Sequence, residues 1–238
     1  MVKNERHLSQ ILPVLFISLI FIAISSGFAF ADTVILNQAP SHLSYYPSDV
    51  DVPQSVADNF LVSSTVNIIK IRIWGNYEPT KTAPATDNFS VIFHSDAAGL
   101  PGAAISTQNN VPVSRQLTGG VIITDPEYVY TLTLITPVTL SPGTYWVEIY
   151  NNTTGDTDDN FYWEDGNLDP THGIAGFAWD NANAPGTNWS GVQHDPAIEI
   201  TSSSTSIPTM TEWGMIIFMM LAGLVAAYYL RRQRRSER

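Results

Sequence analysis

The 238-residue chain contains no cysteine. That excludes disulfides, thiolate catalysis and cysteine-built metal centres together, so a domain exported from it must be held by its core alone. Basic residues are scarce through the long middle stretch. Between residues 32 and 206 the only Lys and Arg are Lys70, Arg72, Lys81 and Arg115, against nineteen Asp and Glu, a formal charge of −15. The whole chain is milder at −11 because both ends are basic. A surface of that sign repels nucleic acid, which is therefore not expected as a partner, and repels anionic polysaccharide unless a cation bridges the two. The middle also lacks any window that keeps helical periodicity for three turns. Long hydrophobic runs occur only at the two ends.

The first of these runs reads as a secretory signal peptide, residues 1–31, with an N-terminal signal helix. Lys3 and Arg6 give a positive start, Ile11 to Phe28 is apolar, and Ala29-Phe30-Ala31 is a small-x-small site before Asp32. Signal peptidase is the expected partner, with Ala29, Ala31 and Asp32 around the cut. The apolar stretch is long, so an uncleaved signal anchor would carry the same signature. No cysteine follows it, which excludes a lipid-modified N-terminus.

The middle stretch has strand periodicity. In Asn67 to Trp74, Ile69, Ile71 and Ile73 alternate with Lys70 and Arg72, and Phe89, Val91 and Phe93 alternate in the same way. Val129 to Leu134 and Thr144 to Asn151 are rich in β-branched and aromatic residues. Shorter candidates lie at 33–37, 59–62, 104–107, 161–164, 176–179 and 197–201. Turn clusters separate them: Asp96 to Gly102, Gly119-Gly120, Ser141-Pro142-Gly143 and Ala184-Pro185-Gly186. The expected fold class is all-β, an antiparallel β-sandwich of jelly-roll type over residues 32–201. Ser202 to Ser206 (SSSTS) reads as a flexible linker.

The second hydrophobic run closes the chain. Trp213 to Leu230 is eighteen residues without a formal charge, about 27 Å as a helix against a hydrocarbon layer of ~30 Å. It reads as a single C-terminal transmembrane helix. Arg231, Arg232, Arg234, Arg235 and Arg238 follow at once, and the positive-inside rule keeps them cytoplasmic. Just ahead stands Ile207-Pro208-Thr209-Met210-Thr211-Glu212-Trp213-Gly214. This signature, span and basic end, residues 207–238, resemble the IPTL-CTERM sorting signal of Gram-negative bacteria, with Met210 where the family has leucine. The resemblance implies a membrane-embedded exosortase as processing partner. It also implies inner-membrane anchoring during transit with the domain in the periplasm, then transfer to the cell surface or extracellular matrix. A plain membrane anchor that is never cleaved has the same layout. More softly, residues 55–200 are similar to β-sandwich domains of bacterial surface proteins that carry interchangeable sorting tails; their shared turn and core residues imply fold and no chemistry.

Candidates for chemistry are few. Asn151 to Gly166 is acid-rich, and Asp156, Asp158, Asp159 and Asn160 offer the hard oxygens that calcium takes from loops, though without the EF-hand pattern; a solvated acidic loop reads the same. Aromatic residues crowd the later half. Trp146, Tyr162, Trp163, Trp179 and Trp189 are candidate stacking surfaces for sugar rings, and equally candidate core residues. Neither HxH nor HExxH spacing occurs, so zinc is not expected, and His94, opposite in phase to Phe93, should be exposed. Nineteen acids guarantee chance pairs, so a glycosidase-type carboxylate pair is not legible from sequence. The expected protein is a non-catalytic, exosortase-sorted surface or matrix protein, glycan-binding or adhesive. The alternatives are a secreted polysaccharide hydrolase and a structural protein without a ligand.

Overall fold

Period-two alternation fixes which side chains face inward, and most of the middle stretch obeys it. The computed structural model describes residues 32–52, 54–79, 81, 83–152, 159–174, 177–180, 188–192, 194–203 and 210–236. The expected signal helix, 1–31, lies outside them. The described strands are β1 (Thr33–Gln38), β2 (Pro40–Pro47), β3 (Ser55–Val62), β4 (Val66–Pro79), β5 (Phe89–Asp96), β6 (Pro101–Gln108), β7 (Val113–Ile122), β8 (Asp125–Leu140), β9 (Gly143–Asn151), β10 (Asp159–Gly166), β11 (Phe177–Asp180), β12 (Trp189–Val192) and β13 (Ile198–Ser203). One helix follows, α1 (Met210–Ser236).

All strand pairing is antiparallel, in two sheets. The second sheet runs β12-β11-β3-β9-β5-β6. The first is built around β4, which pairs β8 along one edge while β13 and then β10 share the other; β1, β2 and β7 lie outermost. Count β1, β3, β4, β5, β6, β8, β9 and β13 as strands one to eight. The first sheet then reads one-eight-three-six and the second two-seven-four-five, the strand order of a jelly roll.

One core joins the sheets. Ile71, Ile73, Tyr130, Leu132 and Phe161 from the first meet Phe60, Phe89, Val91, Phe93 and Val147 from the second. Its centre is aromatic. Phe89 lies 5.0 Å from Phe161 and 5.2 Å from Tyr130, and Tyr130 lies 5.4 Å from Phe161, all edge to face. Such pairs contribute about 0.5–1.5 kcal/mol each beyond the area they bury. Gln38 reaches across to Asp58, donating from Nε2 to Oδ2 at 2.8 Å. Burial, followed by the neighbouring Asp195, pushes the Asp58 carboxyl well above its ordinary range.

Several sequence expectations need correction. Ile69 does not share the core face with Ile71. A bulge between Ile68 and Lys70 shifts the phase by one, so Ile68 is buried and Ile69 half-buried. Gly119-Gly120 is not a chain reversal but lies within β7, at a register shift between Leu117 and Val121, with Gly119 at φ +84°. Strands β2, β7 and β12 had no clean alternation and went unread. Ser202 and Ser203, assigned by composition to the linker, belong to β13.

The row β2-β10-β4-β8-β7 is not flat. Its two outer strands, β2 and β7, come into contact, so this end of the sheet curls on itself. The β7 bulge and a second irregularity between Glu164 and Gly166 supply the bend. The concave face so formed is polar.

Candidate functional site

Two regions compete as functional: the tail, and the polar hollow of the curled sheet. In the hollow, strand alternation turns Asn76 and Glu78 of β4, Asp125 and Glu127 of β8, Tyr162 and Glu164 of β10 and Tyr45 of β2 toward the concave side. At its outer part Tyr45 donates to Glu78 at 3.3 Å and to Asp125 at 3.4 Å, and Lys81 pairs with Asp125. Burial alone would raise the Asp125 carboxyl, but hydrogen bonds from Lys81 and Glu78 hold it below the usual range. Glu78 takes the opposite shift, raised by burial and then by its hydrogen bond with Asp125. Burial, then the charges of Glu78 and Asp125, pushes the Tyr45 phenol up to about 12.

Deeper in stand Glu164, 0% exposed, and Glu127, 2% exposed. His42, at φ 61°, turns its backbone N–H onto Glu164 Oε1 at 2.8 Å and sets its ring Nδ1 3.1 Å from the same oxygen and 3.7 Å from Glu127 Oε1. Thr118 Oγ1 donates to Glu127 Oε2 at 2.7 Å. Gly120 is required here, because a Cβ on it would stand 2.7 Å from that same Oε2. Burial is the main force raising the Glu164 carboxyl, to about 8; the His42 N–H opposes it, and the Glu127 charge adds to it. Sequence reading missed this triad. Its members come from three separated strands, and no spacing links residues 42, 127 and 164.

The aromatic candidates divide. Trp146 and Trp163 are each 1% exposed and hydrogen-bonded through Nε1, Trp146 to Asp96 Oδ1 and Trp163 to Ala197 O, both at 2.9 Å. Both are core residues, and their ring faces are not open to a sugar. By strand phase Trp146 does point outward, with its neighbour Tyr145 packed on the main core, but Ala57, Ala178, Leu100 and Trp189 cover that outer side and bury it. Tyr162, Trp179 and Trp189 remain half-buried. His94 is also a correction. It is 4% exposed, bonded through Nε2 to Glu148 Oε2 at 2.9 Å and through Nδ1 to Gly102 O at 3.1 Å, with Trp189 across its edge at 5.9 Å. Of the calcium candidates, Asp156 and Asp158 lie outside the described residues. Asp159 and Asn160 open β10.

The tail is simpler. Ile207, Pro208 and Thr209 lie outside the described residues, while Met210, Glu212, Trp213 and Gly214 fall in the first turns of α1. The large apolar side chains from Ile216 to Leu230 stand exposed and take no place in the sandwich core. Arg231, Arg232 and Arg235 are exposed beyond them. Among the described residues no helix is long and apolar enough to cross a membrane. The run of described apolar side chains, 216–230, spans roughly 22 Å. At the other end Asp32 Oδ2 lies 3.3 Å from Lys70 Nζ, immediately before β1.

A jelly-roll sandwich followed by an arginine-ended helix defines a class: a folded domain carrying a C-terminal address. Residues 205–235 match the family described as the IPTL-CTERM motif. The tail is thus an IPTL-CTERM sorting signal, the mark of an exported protein handed to an exosortase-type enzyme at the membrane. No curated protein matches the chain.

Proposed function

We propose that the protein is a non-catalytic component of the cell surface or extracellular matrix, sorted there by its tail. In this reading 1–31 is removed by signal peptidase. The helix 213–230 stops in the inner membrane with the sandwich in the periplasm, and the exosortase-type enzyme then cuts near 207–214. The single observation that carries the reading is the exposure of the α1 apolar face beside a sandwich whose core is complete without it. An exposed oily face of that extent needs another solvent, and a bilayer supplies it. A sugar ligand would have Tyr162, Trp179 and Trp189 to stack on, three of the five aromatics first considered.

Transplantation tests this. Residues 204–238 fused behind an unrelated exported domain should send that domain to the same compartment, shortened at its C-terminus. A fusion that stays full-length in the inner membrane would count against the proposal. The second reading is a polysaccharide hydrolase, favoured by one observation: Glu127 and Glu164 side by side, with Glu164 held up to about 8. The burial of both carboxyls argues for a smaller occupant than a sugar ring.

A further inference from the structure

Two carboxyl groups withdrawn from water and set side by side cannot both ionise unless something positive lies between them; without it one keeps its proton. His42, Glu127 and Glu164 each present one ligand atom, and the three lie within 4.8 Å of one another. Each carboxylate has one oxygen already held by the protein: Glu127 Oε2 by Thr118, Glu164 Oε1 by the His42 N–H. The other two, Glu127 Oε1 and Glu164 Oε2, are buried without a hydrogen-bond partner among the described residues.

We propose that His42 Nδ1, Glu127 and Glu164 bind one divalent transition-metal ion of the zinc type, which fastens β2 to β8 and β10 and closes the curled end of the sheet. A dication with two carboxylates and a neutral imidazole is net neutral, which removes the repulsion. At metal–ligand distances of about 2.0–2.2 Å, ligand atoms in a tetrahedron stand roughly 3.3–3.6 Å apart; His42 Nδ1 stands 3.7 Å from the unpartnered Glu127 Oε1 and 3.1 Å from Glu164 Oε1, the oxygen that also accepts the His42 N–H, and the two values bracket that range. The imidazole selects zinc-like ions over calcium or magnesium, which take oxygen alone. Thr118 and the His42 N–H are the outer hydrogen bonds that orient such ligands. The half-exposed side chain of His42 leaves an entry path and room for a water as fourth ligand. The site uses no residue of the sorting tail.

The test uses the full chain in detergent, stripped with EDTA and then given Zn²⁺, Ca²⁺ or Mg²⁺. Zn²⁺ at a hundredfold over its Kd should raise Tm by about 5–10 °C. Elemental analysis after desalting should find one zinc per chain. Glu127→Gln and His42→Ala should each abolish the rise and the retained zinc, while His194→Ala, a change at a histidine outside the site, should keep both. Co²⁺ should give a visible d–d band that His42→Ala removes. The proposal is overturned by no shift with Zn²⁺, by a shift that survives both variants, or by a larger shift with Ca²⁺ or Mg²⁺ than with Zn²⁺.

Discussion

Trp163→Ala should destabilise the sandwich by about 3–5 kcal/mol, the range for deleting a large buried aromatic. A domain of this size holds only about 5–15 kcal/mol in total, so the variant stands near the edge of folding. The loss has two parts. The indole is part of the main core, and its Nε1–H satisfies Ala197 O at 2.9 Å, a bond the variant loses. Thermal unfolding should show a fall of roughly 10 °C or more. Trp163→Phe should lose less, since it keeps most of the volume and forfeits the bond. Trp179→Ala, at a half-buried position, should fall well short of Trp163→Ala. Equal and small effects at both positions would mean that Trp163 is a surface residue after all. The comparison also guards against a misreading: loss of any ligand in Trp163→Ala would report unfolding.

The second large effect lies in the tail. On the proposed reading α1 enters the membrane, where each arginine drawn into hydrocarbon costs about 2.5–3.5 kcal/mol, so four within five residues make a barrier it does not slip past. Replacing Arg231, Arg232, Arg234 and Arg235 together by serine removes it. Correctly processed protein should fall at least tenfold in the native host, on the positive-inside rule, and unprocessed or released precursor should take its place. Sandwich stability should stay unchanged, because Arg231, Arg232 and Arg235 stand exposed beyond the apolar run. Processing that continues undiminished would show that the signature alone is read.

How much of this was legible in the letters depends on the range of the interaction. Strands with a wet face and a dry face, such as Ile71-Arg72-Ile73 or Phe89 to Phe93, announce themselves because alternation is local. The tail was legible for the same reason: signature, oil and arginine are contiguous. What failed was contact between distant segments. β2 and β7 gain their place from the curl that brings them together, and neither alternates cleanly. Ile69 was misplaced because a bulge shifts phase without leaving a Gly or Pro to mark it. Trp146 and His94 look outward by parity, yet β12 and Leu100 cover that side. The triad is the extreme case. Three acceptable surface letters, His42, Glu127 and Glu164, come together only when the chain folds across a sequence separation of 122 between the first and the last.

The central claim is that the tail decides where this protein goes and the sandwich travels with it. Intact-mass measurement of the mature protein from its native host tests that most directly. The account expects a chain beginning at Asp32 and lacking roughly the last 25–30 residues, consistent with a cut at the signature ahead of a membrane helix of about 20 residues. A mass that extends through Arg238 would contradict it, leaving α1 as a permanent anchor and the sorting motif unused.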